Sequence, residues 1–195
     1  MYTVCIFCGT VAGNDPQYAE ATRAMARLLV ENDCRVVYGG GKLGLMGIMA
    51  QTVLAAGGHV TGVVPERLID SEVMHRGLSE LHVVPSMNER KKQMTRLADA
   101  FLALPGGYGT LDELFEVLTL RQLKVDGVRA KPCGLLNVNG FFDALVAYLD
   151  HATASGFLQP ANRGMLAVDA DPVRLLGKIG VPGVRGLDQV AMGND

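Results

Sequence analysis

Ala100-Phe101-Leu102-Ala103-Leu104-Pro105-Gly106-Gly107-Tyr108-Gly109-Thr110-Leu111-Asp112-Glu113 is an apolar run that breaks at proline and glycine and then takes up a helical period. A run without polar alternation is what a strand covered on both faces looks like, and the punctuation after it predicts a tight strand-to-helix corner. The same succession recurs on either side. Thr3–Cys8, Arg35–Tyr38, His59–Val64, Leu81–Val84, Pro132–Val138 and Met165–Val168 are apolar runs separated by segments of helical period. Seven such runs predict an α/β fold, a Rossmann-like doubly wound, mostly parallel sheet of about seven strands with helices on both faces.

Helix boundaries are marked locally. Asp15-Pro16 sets a cap before a proline at the first helical position, and Ser86-x-x-Glu89 and Thr110-x-x-Glu113 have the spacing of capping boxes. Asn32-Asp33 and Gly57-Gly58 are stops. The 195 residues fit one domain, with 49% hydrophobic and 19% charged residues, enough apolar content to exclude disorder over most of the length. Residues 1–179 are read as a single nucleotide-binding domain and 180–195 as a Gly-rich tail.

In an open parallel sheet, ligands bind beyond the carboxyl ends of the strands. Two of those corners are glycine-rich here: Gly39-Gly40-Gly41-Lys42-Leu43-Gly44-Leu45-Met46-Gly47 and Pro105–Thr110, while Gly9 follows the first strand. Glycine lets the backbone approach a ligand, and a helix start offers free N–H groups to an anion, so a phosphate is the natural guest. Tight turns alone would also use glycine. The first corner, Cys8-Gly9-Thr10-Val11-Ala12-Gly13, lacks the dinucleotide fingerprint, and Gly40 to Gly47 lacks the Lys-Ser/Thr ending of a P-loop.

At 100° per residue the helix after Ser86 puts Met87, Met94, Leu97 and Phe101 on one stripe, with Arg90 inside it. An arginine on an apolar face needs a carboxylate partner or an anion. Lys91 lies at the edge of that stripe. Glu113 is read either as the return arm of a capping box or, beside a phosphate and an arginine, as a group that handles protons.

Other chemistries have little support. The 18 Lys and Arg against 20 Asp and Glu leave a formal charge of −2 without a basic patch, which disfavours nucleic acid. No apolar stretch reaches the ~18 residues of a membrane span, and the N-terminus has no basic leader, so a cytoplasmic setting is expected. Cys5 and Cys8, three apart in one strand, face opposite sides and are read as buried thiols. His59, His75, His82 and His151 have no metal-ligand spacing.

Tyr38-Gly39-Gly40-Gly41-x-x-Gly44-Leu45-Met46-Gly47, Met87-Asn88-Glu89-Arg90-Lys91 and Pro105-Gly106-Gly107-Tyr108-Gly109-Thr110-Leu111-Asp112-Glu113 together closely resemble the LOG ("lonely guy") family. These are cytokinin riboside 5′-monophosphate phosphoribohydrolases, formerly misannotated as lysine decarboxylases. The resemblance spans residues 3 to 170 and takes in Cys8-Gly9, Glu72 and Lys131-Pro132. It implies a Rossmann-like homodimer or larger homo-oligomer that cleaves adenine-type nucleoside 5′-monophosphates to free base and ribose 5-phosphate, without cofactor or metal. It implies Arg90 and Glu113 as the catalytic pair. Gly106, Gly107, Gly109 and Thr110 would hold the 5′-phosphate, and Glu72, Lys91, Tyr108 and Thr119 would make further substrate contacts. Gly9, Gly40, Gly41, Gly44, Met46 and Gly47 are further nucleotide-loop candidates.

The sequence departs from the family pattern at Asn88, where a histidine is usual, at Asp112, where a glutamate is common, and in a longer segment over 125–130. A rival reading keeps the fold and loops but makes the chain a non-catalytic nucleotide or cofactor carrier, or a sensor of a nucleotide signal. Arg90 together with Glu113 discriminates, since a carrier needs the loops but not both groups at the sugar.

Overall fold

Along the first strand, Val4, Ile6 and Cys8 enter one apolar cluster while Cys5 and Phe7 enter another, because successive side chains leave opposite faces of a strand. That split organises the fold. The computed structural model describes residues 1–69 and 74–184. Seven strands, β1 (Thr3–Phe7), β2 (Arg35–Tyr38), β3 (Val60–Pro65), β4 (Glu80–Val84), β5 (Ala100–Ala103), β6 (Cys133–Leu136) and β7 (Leu166–Asp169), form one sheet in the order β4-β3-β2-β1-β5-β6-β7. Every pairing among the described strands is parallel, so the sheet is wholly rather than mostly parallel there. All seven apolar runs form strands, displaced by a residue or two at their ends.

Helices cover both faces. α1 (Pro16–Glu31), α2 (Gly44–Ala55) and α7 (Pro172–Lys178) supply Met25, Leu29, Met49, Val53 and Leu175 to the first cluster. α3 (Met87–Leu97), α4 (Tyr108–Gln122) and α5 (Asp143–Ala154) supply Met94, Leu114, Val117 and Leu149 to the second. A single turn, α6 (Pro160–Arg163), precedes β7. The marked boundaries hold at α1, where the Asp15 carboxylate accepts the Gln17 N–H at 2.9 Å, Pro16 opens the helix and Asn32 ends it. At α2, Gly57 takes a φ of +78° just past the end. Phe101 does not extend the α3 stripe, because the helix stops at Leu97 and Phe101 is buried in β5.

Strand order reverses at β1, which pairs with β2 on one side and β5 on the other. The crevice beyond its carboxyl end is therefore the place where loops diverge to opposite faces and leave room for a ligand. Here Gly9 N–H donates to Pro105 O at 3.0 Å, and Met46 N–H donates to Gly9 O at 3.2 Å, tying the corners after β1, β2 and β5 together. At the far end of the chain, Val181 is buried in the first cluster and Val184 packs against it; the rest of the Gly-rich tail lies outside the described residues.

The last βα unit is fastened by one carboxylate. Asp169, its side chain only 8% exposed at the end of β7, accepts from Asp171 N–H and Arg174 Nη2 at 2.8 Å each and pairs with Lys178 Nζ at 2.9 Å. These donors, led by Arg174, hold its carboxyl well below the usual carboxylate range. A folded-state value below the unfolded one contributes stability above the unfolded pKa of about 3.9, and the contribution fades as pH falls through the folded value. Asp169→Asn should therefore cost about 2 kcal/mol near neutrality. Urea unfolding should show the gap between variant and parent narrowing once the pH is below about 4. A gap that stays constant across that range would rule out the charged anchor.

Candidate active site

α3 starts where Ser86 Oγ accepts the Glu89 N–H at 3.2 Å, half of the expected capping box; the Glu89 carboxylate turns instead to Lys92 at 2.8 Å. One turn in, Arg90 leaves the helix toward the sheet and is only 7% exposed. Its Nε donates to the Val63 carbonyl of β3 at 3.1 Å, and its Nη1 donates to Glu113 Oε1 on α4 at 2.7 Å. The arginine on the apolar stripe thus finds both an acceptor and a counter-charge, as its position required.

Glu113 is free to do this because the second expected capping box does not form. α4 begins at Tyr108 with Gly107 as its N-cap, so Thr110 already lies inside the first turn, and no side chain caps the helix. The reason is local: Gly106 packs so close to Thr110 that an added Cβ would lie 2.1 Å from Thr110 Oγ1, which buries the hydroxyl against the loop. The first helical hydrogen bond runs from Leu111 N–H to Gly107 O. The N–H groups of Tyr108, Gly109 and Thr110 precede it and have no acceptor within the helix. A Cβ on Gly107 or Gly109 would meet nothing within 4 Å. The helix start consequently combines bare N–H groups with open space beside Gly107 and Gly109, an arrangement suited to a phosphate.

Glu113 lies just behind that opening. Burial pushes its carboxyl above the usual range, and the Arg90 guanidinium pulls it part of the way back. Lys91 reaches the same helix: Nζ lies 3.2 Å from Asp112 Oδ2 and contacts Glu116, and these carboxylates raise its pKa. Two cations of α3 thus meet three carboxylates of α4. A small cavity of about 10 Å³, bordered by Phe7, Met94 and Val117 as well as Lys91 and Glu113, adjoins the pair.

The structure brings Arg90, Lys91, Glu113 and the 106–110 loop together, with Gly9 against Gly106 at the same corner. Other expected site residues stand apart. Thr119 is on the outer side of α4, where its hydroxyl donates to Phe115 O at 2.7 Å. It lines an open groove of about 510 Å³ with Asp112 and Glu116. Packing accounts for several glycines after β2: a Cβ on Gly40 would strike Val64, on Gly44 the Thr10 backbone, and on Gly47 the Lys42 carbonyl. Gly41 is bridged to Met74; Met46, by contrast, is buried at the site, with its Cε beside Gly39 and the Arg90 guanidinium. Glu72 lies outside the described residues.

Among the departures, Asn88 is exposed in the first turn of α3, and the longer 125–130 segment sends Val128 into the second cluster. Sequence reasoning missed three partners of the pair and of Lys91: the Val63 carbonyl, Gly39 beside the guanidinium, and Glu116 as a partner of Lys91. Only Glu116 had a signal, its place one turn beyond Glu113. Among the described residues no cluster of side chains is fit to hold a metal ion, and no helix is long and apolar enough to cross a membrane.

Residues 46–179 match a family model described as possible lysine decarboxylase. The chain is 46% identical over 176 residues to a protein of Oryza sativa subsp. japonica named probable cytokinin riboside 5′-monophosphate phosphoribohydrolase LOGL9, covering 90% of this chain and 76% of that one. It is 45% identical to the Arabidopsis thaliana enzyme cytokinin riboside 5′-monophosphate phosphoribohydrolase LOG7, covering 84% and 74%. Among solved structures, the molybdenum cofactor binding protein of Rippkaea orientalis superposes with a TM-score of 0.66 at 18% identity, covering 91% of this chain and 96% of that one. At that identity the likeness is one of fold. With over 40% identity across most of both lengths in the curated relatives, the chain belongs to the LOG family.

Proposed function

We propose that the chain is a cytokinin riboside 5′-monophosphate phosphoribohydrolase, hydrolysing the bond between ribose C1′ and the purine to give free base and ribose 5-phosphate. The observation that carries this reading is the buried Arg90–Glu113 pair set behind the bare start of α4. A carrier would need the phosphate grip alone. The names of the relatives supply the substrate class.

The chemistry follows from charge. As the C1′–N bond lengthens, its electron pair leaves with the base and positive charge grows on the ribose ring. The Glu113 carboxylate stabilises that charge and takes a proton from the water whose oxygen bonds to C1′, while the departing base takes up a proton from solvent. Its raised pKa makes it a stronger base than an ordinary glutamate, and Arg90 keeps it ionised. The N–H groups at Tyr108–Thr110 and the nearby Lys91 hold the phosphate, so binding remote from the broken bond supplies orientation. We read residues 1–179 as one nucleotide-binding domain. The four free buried thiols support a reducing, cytoplasmic setting.

We also propose that a second copy covers the outer face of α4. Tyr108 is 95% exposed beside the site, and Phe115 and Leu120 line the groove that holds Thr119. Thr119 is exposed on that face with its hydroxyl turned to Phe115 O, and so would meet a substrate across such an interface. Thr119→Arg puts a charge in the groove without touching the core. Sedimentation should show a dimer or larger assembly for the parent and a smaller species for the variant; a monomeric parent would refute this interface.

Free base should appear chromatographically when the protein meets AMP or isopentenyladenosine monophosphate, and not with adenosine. Glu113→Gln should slow release by about 10²–10⁴-fold while AMP still binds. AMP binding without release by the parent would replace the enzyme with the carrier or sensor. The pH profile is a further check. Glu113 acts as the carboxylate, and its raised pKa means that form is lost earlier as pH falls. The acid limb of kcat/KM should therefore lie above the ordinary glutamate value of about 4.3. A limb at or below that value would assign it to another group.

A further inference from the structure

The guanidinium of Arg90 is held on two sides by hydrogen bonds and on a third by an absence. An ideal Cβ on Gly39, the residue after β2, would lie 1.8 Å from Arg90 Nη2 and 2.9 Å from both Arg90 Cζ and Met46 Cε. Non-bonded heavy atoms settle at about 3.5–4.0 Å, so one of them would have to move. Arg90 has little freedom to retreat, since Nε is committed to Val63 O at 3.1 Å and Nη1 to Glu113 Oε1 at 2.7 Å.

The neighbouring glycines differ in kind. Gly44 and Gly47 give way to backbone atoms, and Gly40 combines a φ of +76° with contact to Val64, so side chains there would strain the chain itself. The atoms nearest a Cβ on Gly39 all belong to side chains, and its φ lies outside the left-handed region. An added methyl at Gly39 would therefore press on the reacting pair and leave the backbone in place.

We propose that Gly39 is a positioning residue for the N-glycosidase reaction, keeping open the slot in which Arg90 Nη2 lies so that the guanidinium meets Glu113. This rests on the function proposed above. With Arg90 displaced, Glu113 loses its nearest counter-charge while remaining buried. The other groups that face Glu113 are Lys91 from α3, Asp112 and Glu116 on its own helix, and the Cys5 and Cys8 thiols of β1. None of them is among the atoms nearest a methyl on Gly39, which belong to Arg90 and Met46.

The test is Gly39→Ala, read by NMR titration of ¹³C-labelled glutamate carboxyls, with Glu113→Gln assigning the signal, and by base release. Glu113 should titrate at higher pH than in the parent, and kcat/KM should fall by at least about tenfold with its acid limb moved the same way. In an Arg90→Lys background, which lacks Nη2, adding Gly39→Ala should cost less than about threefold. An unchanged Glu113 titration overturns the proposal, as does an equal loss in both backgrounds. If Gly39→Ala alone does not fold, the double variant should; failure of both assigns the glycine to the backbone and also overturns it. A parent that releases no base defeats the N-glycosidase reading, while the titration still decides whether Gly39 places Arg90.

Discussion

The site depends on one contact, the 2.7 Å ion pair between Arg90 and Glu113. Both side chains are largely withdrawn from water, and removing charges from water costs several kcal/mol per ion unless partners replace the lost hydration. Here each charge is the main compensation for the other, with the Val63 carbonyl taking a further guanidinium N–H. The pair is thus less a source of stability than a mutual obligation that fixes α3 against α4. Breaking one side would leave the other as an uncompensated buried charge, a penalty of about 3–5 kcal/mol.

That obligation has a chemical use because of where the sheet places it. Strand order reverses at β1, so the corners after β1, β2 and β5 converge, and their backbones bond to one another through Gly9. The start of α4 opens at the same corner. An anion held there would sit within reach of the ion pair, with the helix dipole and Lys91 adding positive potential. The Glu113 carboxylate is buried by the same packing that forms the sheet, which explains its raised pKa without any special device.

Much of the fold was legible because strand signals are local. Seven apolar runs without polar alternation stood out, and each became a strand. Asp15-Pro16 and Asn32-Asp33 likewise carry their own geometry. The capping-box pattern was weaker, since its residues also occur for other reasons. At Ser86 the cap formed, while Glu89 turned to Lys92. At Thr110 the helix started three residues earlier, at Tyr108 with Gly107 as its cap, because Gly107 and the close fit of Gly106 to Thr110 set the entry of the chain. Phe101 showed the same limit: helical period does not reveal where a helix stops.

By itself the sequence determined the α/β class, the rhythm of strand and helix, the glycine-rich corners and the anomalous arginine on an apolar face. These are properties of neighbours along the chain, set by side-chain period, backbone freedom and capping. Tertiary structure decided that Glu113 pairs with Arg90 instead of closing a capping box, because that partner lies 23 positions away on another helix. It also decided which glycines serve packing and which leave space. Gly44 and Gly47 are filled against backbone, Gly107 and Gly109 face open space, and Gly39 yields to a guanidinium. A glycine's meaning is the identity of the atom that occupies its missing side chain, and that atom arrives only when distant segments pack.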